Sequence, residues 1–157
     1  LTTTAHLSSA SLRTELCCMK TPLETSKRWL AQAEHSLNAT KALFDGGFWA
    51  EACFHSEQTA QLALKAFLFF QGRRFVNIQS VRTLILECGK EDAEFSPLEN
   101  YGSFLDRYYL TTRYPDALPA PAIPFQSFTE GESKQAIEHP SEIVGLSRNR
   151  IPVGSED

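Results

Sequence analysis

A chain of 157 residues is the length of one domain and buries about two thirds of the surface its unfolded form exposes, so one core suffices. A formal charge of -4 excludes bulk nucleic-acid binding through net charge, although it leaves room for a local basic pocket. Cys17, Cys18, Cys53 and Cys88 form no CxxC pair and no metal-like spacing with the four histidines; they read as reduced cytoplasmic thiols, with no metal and no cofactor implied.

No apolar run reaches the roughly 18 to 20 residues of a membrane span, and the N-terminus lacks the apolar stretch of a signal peptide. Residues 1–18 are Ser/Thr-rich and without sustained period, and the only methionine is Met19. This segment reads as a disordered leader or an upstream extension before a start at Met19, with a helical arm through Leu12 and Leu16 as the alternative.

Thr21-Pro22-Leu23-Glu24 combines a capping box with proline at the first helical position, so a helix starts there. Leu30, Ala33, Leu37, Thr40 and Phe44 continue it at spacings of three and four, and Gly46-Gly47 ends it. The stretch Phe48 to Gly72 is the longest run of helix formers and should be the centre of the fold. Trp49, Ala52, Ser56, Ala60, Ala63, Phe67 and Phe70 form one stripe, small in its middle so that a neighbouring helix can approach closely. Its outer flank changes from polar (Glu51, His55, Gln58, Lys65) to apolar (Leu62, Phe69), a pattern that suits burial against a second subunit. Gly72-Arg73-Arg74 then forms a turn whose cations suit a helix C-terminus.

A third helix near Ser80 to Cys88 points Val81, Leu84 and Ile85 inward and is closed by Gly89. Ser96-Pro97-Leu98-Glu99 reads as another capping box, opening a fourth helix with Leu98, Tyr101, Leu105 and Tyr108 as its buried stripe. Pro115, Pro119, Pro121 and Pro124 forbid a helix interior and predict a stiff extended loop. Thr129 with Glu132 opens the last helix, which Pro140 should kink or stop. The fold expected is all-α: an antiparallel up-and-down bundle of four to five helices with a Pro-rich loop before the last, the bundle spanning residues 19–146 and a flexible tail following at 147–157.

The order of these parts, with His55-Ser56-Glu57-Gln58 and Lys65-Ala66 in the central helix, then Leu105-Asp106-Arg107-Tyr108-Tyr109 running into Thr112-Arg113-Tyr114-Pro115-Asp116, resembles the HEPN family (higher eukaryotes and prokaryotes nucleotide-binding). The domain at the C-terminal end of sacsin is more distantly similar. The resemblance covers about Leu23 to Val144. It implies a helical bundle pairing into a homodimer, a nucleotide ligand, and a minimal nucleotidyltransferase as partner in a toxin–antitoxin-like pair. Two positions depart from the pattern: Gln79-Ser80 stands where relatives usually have a His before the Ser, and His139-Pro140 interrupts the last helix.

Catalytic members of the superfamily are similar to metal-independent ribonucleases in which an Arg is followed, after about four to six residues, by a His: a cation for the phosphorane and a general acid/base. No His follows Arg107 or Arg113 at that spacing. Arg28 with His35 is the only literal match and falls in the wrong helix, so an enzyme is disfavoured. The binding reading has Arg113, with Arg107 and Lys65, forking onto phosphate oxygens while Tyr114 stacks on a base beside Asp116. The structural alternative pairs Arg113 with Asp116 or Asp106 and packs Tyr114 under the proline loop. His55 is either an acid/base or a hydrogen-bonded histidine at a helix or subunit contact. Three functions stay open: a homodimeric binding module, a ribonuclease of the HEPN superfamily, and an oligomerisation unit without ligand.

Overall fold

The computed structural model describes residues 20–154; the segment holding Leu12, Leu16 and Met19 lies outside the described residues. Six α-helices follow in order: α1 (Pro22–Asp45), α2 (Trp49–Phe70), α3 (Val81–Glu91), α4 (Glu99–Asp106), α5 (Tyr108–Thr111) and α6 (Glu130–Arg150). Among the described residues there is no strand, and no helix is long and apolar enough to cross a membrane. The bundle is all-α, with α5 a single turn beyond α4.

The start of α1 forms as its residues require. Glu24 N–H donates to Thr21 Oγ1 at 3.1 Å and Thr21 N–H to Glu24 Oε2 at 2.9 Å, satisfying two donors that a helix end leaves unpaired. Gly47 takes φ +81°, the left-handed turn that returns the chain as α2. The small stripe of α2 is fully inside: Ala52, Ser56, Ala60 and Ala63 are buried, with Phe67 tilted against Phe95 at 4.5 Å between ring centroids. Helices α1, α3 and α6 all pack on α2, which is why its second half is apolar nearly all round.

Three local expectations are corrected. Gly89 does not close α3, which runs on to Glu91. A Cβ at Gly89 would come within 2.8 Å of Ser96 Oγ, so this glycine serves a close crossing and not a helix end. Ser96 opens no capping box: residues Ala93–Leu98 form a 3-10 turn containing Pro97, and Glu99 N–H is taken by the Ser96 carbonyl. Lastly, α6 neither stops at Pro140 nor frays at 147. Pro140 is buried inside it, Ser147 is buried, and Ile151, just past its end, is 2% exposed. A helix-interior proline costs about 3 kcal/mol, but burying Ile143, Val144 and Ile151 returns about 1.5–3 kcal/mol each, so packing on the bundle holds the second half helical. The bundle therefore extends past residue 146 through Ile151.

The junction of α3 and α4 is held by Asp106. Its carboxylate accepts from Ser80 Oγ at 2.7 Å, Val81 N–H at 2.6 Å and Arg82 N–H at 3.2 Å. Ser80 Oγ in turn accepts from Thr83 N–H at 3.1 Å, so side chains serve the first turn of α3. The approach is close enough that Gly102 is required. A Cβ there would lie 2.5 Å from Arg82 Cα and 2.6 Å from Arg82 N.

Candidate functional site: an arginine held by aromatic rings

The residues after α5 explain how Arg113 is placed. Pro115 forbids further helix, since it has no N–H to donate. Three successive side chains bond back onto the preceding turn: Thr111 Oγ1 donates to Arg107 O and Thr112 Oγ1 to Tyr108 O, both at 2.6 Å. Arg113 donates to Tyr109 O from Nε at 3.0 Å and from Nη2 at 2.6 Å. Arginine is thus the third member of a side-chain cap.

That cap leaves the guanidinium face against three rings, with its central carbon 4.3 Å from the Phe54 centroid and 4.9 Å from those of Tyr109 and Tyr114. Each such contact contributes about 0.5–1 kcal/mol at an exposed site. The ion pairs among the described residues all involve other arginines and lysines. Neither Asp116 nor Asp106 pairs with Arg113: Asp116 sits exposed on the 3-10 turn Pro115–Ala117, and Asp106 is committed to α3. Both alternatives that paired Arg113 with an aspartate are therefore corrected. So is the packing of Tyr114 under the proline loop, since Tyr114 is 51% exposed.

Arg113 opens onto a cleft of about 390 Å³ whose walls are Glu51, Phe54 and His55 of α2 on one side and Pro115, Ile123 and Phe125 of the loop on the other. The proline loop is thus one wall of the site. His55 lies edge-on to Phe54, ring centroids 5.5 Å apart. Burial lowers the His55 pKa below the ordinary imidazole value, and the Glu51 carboxylate one turn earlier opposes that shift. The imidazole is therefore mostly neutral near pH 7.

The other sequence candidates lie elsewhere. Arg107 donates to Phe104 O at 3.3 Å and lies over the Phe104 ring at 4.6 Å, on another face from the cleft. Lys65 is about 16 Å further along α2 than Phe54, at 1.5 Å per residue, where its Nζ donates to Gln61 Oε1 at 3.2 Å. Arg28 and His35 are both exposed on α1, away from Arg113. Arg113 and His55 line one cleft, with Tyr114 against the Arg113 guanidinium; Arg107, Lys65, Arg28 and His35 are not part of it.

Sequence reasoning passed over two features. Phe54 and Tyr109 hold the guanidinium, and their signal was faint: an aromatic on the outward side of α2 next to His55, and the second of two adjacent tyrosines. Glu57 is 1% exposed and accepts from the side-chain amides of both Gln58 and Gln61. Burial raises its pKa, while those two amides and, more remotely, Arg113 pull it down. A buried carboxylate among amides is stable because its acceptor sites are filled.

The model of the HEPN domain matches residues 26–150. The chain belongs to the HEPN family. Two solved structures agree with it across nearly their whole length. TT1696 from Thermus thermophilus is 29% identical with a TM-score of 0.74, covering 80% of this chain and 97% of its own. ST0689, an archaeal HEPN homologue, is 28% identical with a TM-score of 0.66, covering 85% of this chain and 100% of its own. No curated protein matches the chain. The expected family and the all-α bundle are thus shown. In this HEPN domain the cleft takes His55 from the first block that carries the resemblance and Thr112, Arg113 and Pro115 from the second, and the proline loop closes it with Ile123 and Phe125.

Proposed function

We propose that this HEPN protein is a homodimeric binding module that holds a nucleotide or another phosphate-bearing ligand in the Arg113 cleft and works with a minimal nucleotidyltransferase partner. The observation that carries the reading is the state of Arg113: its guanidinium is fixed by one backbone carbonyl and three rings, and among the described residues no carboxylate forms an ion pair with it. An arginine so held keeps its charge and, with Nε and Nη2 on Tyr109 O, its Nη1 donors for an anion, and the exposed Tyr114 ring offers a stacking surface for a base. The cleft, at 390 Å³, falls within the usual range for small-ligand sites, about 300–1,000 Å³.

Calorimetric titration with nucleoside triphosphates tests it. Arg113→Ala should weaken binding by about tenfold or more, as loss of one charge-assisted contact of about 1.5–3 kcal/mol requires, while the midpoint falls only by the several degrees that three ring contacts of about 0.5–1 kcal/mol each imply. Collapse of the midpoint would make Arg113 a structural cap only, and unchanged affinity would put the ligand elsewhere.

A second reading, a ribonuclease, is favoured by one feature: the fold brings His55 and Arg113 to the same cleft although no short motif links them. A neutral imidazole beside a cation is the pairing that metal-independent phosphodiester cleavage needs. RNA cleavage that survives chelation and is lost in His55→Ala would replace the binding reading with this one.

A further inference from the structure

The turn Gly72-Arg73-Arg74 is not used by the Arg113 cleft, and its surroundings are built from the opposite end of α2. Gly72 N–H donates to Phe69 O at 3.0 Å and Arg73 N–H to Leu68 O at 3.2 Å, with Gly72 at φ +93°. This left-handed closure turns the chain back toward the start of α1, which lies beside the end of α2 because the two helices form an antiparallel hairpin. Lys20, the residue before the α1 cap, is thereby brought to the same concavity as Arg73 and Arg74. The hollow is about 460 Å³, floored by Phe69 and edged by Thr25.

Stabilising the α2 C-terminus does not account for these cations. Arg73 donates to Glu87 on α3 at 2.7 Å, so it braces that helix; Glu87 also takes Lys90 at 2.6 Å. Lys20 and Arg74 have no ion pair among the described residues. The acid nearest in sequence to Lys20, Glu24, is turned onto the Thr21 amide. In a chain with a net charge of -4, three cations therefore line one hollow, and among the described residues only Arg73 has an ion-pair partner. Like charges lining one hollow repel, and an anion between them relieves that repulsion.

We propose that Lys20, Arg73 and Arg74 form a second anion site, which takes the oligophosphate chain of a small ligand. It lies about 27 Å along α2 from the Arg113 cleft, taking Phe54 to Gly72 at 1.5 Å per residue, so one small ligand cannot occupy both. Lys20 and Arg74 supply the charge on flexible stems, and Arg73, fixed by Glu87, supplies the rigid donor. The proposal does not depend on the Arg113 reading.

The test uses the full chain carrying Arg113→Ala, which removes the first cleft from consideration, titrated with inorganic tripolyphosphate and with ATP. Tripolyphosphate should bind, weakening as salt rises, and adding Lys20→Ala with Arg74→Ala should lower its affinity at least tenfold. Both of these positions are exposed, so the thermal midpoint should be unchanged and serves as the folding control. Similar affinities for ATP and tripolyphosphate support recognition of the phosphate chain. Failure of the Arg113→Ala protein to bind tripolyphosphate, binding of ATP alone, or undiminished affinity in the triple variant overturns the proposal.

Discussion

Replacing Asp106 with alanine separates the scaffold from the site. The substitution removes the acceptor of three hydrogen bonds, from Ser80 Oγ, Val81 N–H and Arg82 N–H. Loss of a helix cap costs about 0.5–2 kcal/mol, and a hydrogen bond to a charged group about 1.5–3 kcal/mol. Asp106 is only half-buried, so water replaces part of what is lost, and Ser80 still serves Thr83 N–H. The net expectation is about 2–3 kcal/mol. For a chain of this length each kcal/mol moves the midpoint by about 2–4 °C, so circular dichroism should register a fall of about 5–10 °C. A double-mutant cycle sharpens the test. Asp106→Ala with Ser80→Ala should be non-additive, whereas Asp106→Ala with Arg113→Ala should add within about 0.5 kcal/mol. A midpoint that barely moves, or strong coupling between Asp106 and Arg113, would refute the assignment of Asp106 to the α3 cap.

Gly102→Ala gains about 1 kcal/mol of helix propensity, but its Cβ meets the Arg82 backbone at 2.5–2.6 Å. Backbone cannot swing aside, so a cost at or above the upper end of the about 1–3 kcal/mol seen for overpacking should win, and urea unfolding should show net destabilisation. Glu57 has a pKa raised above the ordinary carboxyl value of 4.5, chiefly by burial. The folded state therefore holds this proton more tightly than the unfolded state, and the stability it contributes is full below the unfolded pKa and lost as pH rises through the folded pKa. Glu57→Gln should remove that slope: midpoints measured upward from about pH 4.5 should fall less with pH in the variant, and parallel profiles would exclude Glu57 as the source. Pairing of two copies through the outer flank of α2 should place Leu62 and the mutually tilted Trp29 and Phe69 rings, 5.0 Å apart, at the contact. Sedimentation at micromolar concentration should then show a dimer, converted to monomer by Leu62→Glu; a wild-type monomer would end that part of the proposal.

How far the site could be read beforehand differed by residue. The importance of the Arg113 segment was legible because prolines from Pro115 onward must end a helix and because the segment carries the more specific block of the family pattern. Its neighbours were not. Phe54 lies far from Arg113 in sequence, and nothing in the α2 periodicity tells which outward position will face the proline loop. Arg107 and Lys65 look equivalent to Arg113 as charges on paper, yet helical direction sends them to other faces. Asp106 was a plausible partner for Arg113 by proximity, but the unpaired amides at the start of α3 bind it instead.

The sequence by itself determined what depends on near neighbours along the chain: the capped start of α1, the glycine turn into α2, the small-residue stripe, the proline loop and the family pattern. These follow from backbone conformation, hydrogen-bond donors within a turn, and helical periodicity, which act over a few residues. Only the tertiary structure decided that α6 persists through Pro140 to Arg150, that Asp106 caps a different helix, and that His55 and Arg113 share a cleft while Lys20 meets Arg73 and Arg74. Each of these is settled by contacts between segments distant in sequence, where burial and pairing outweigh local preference.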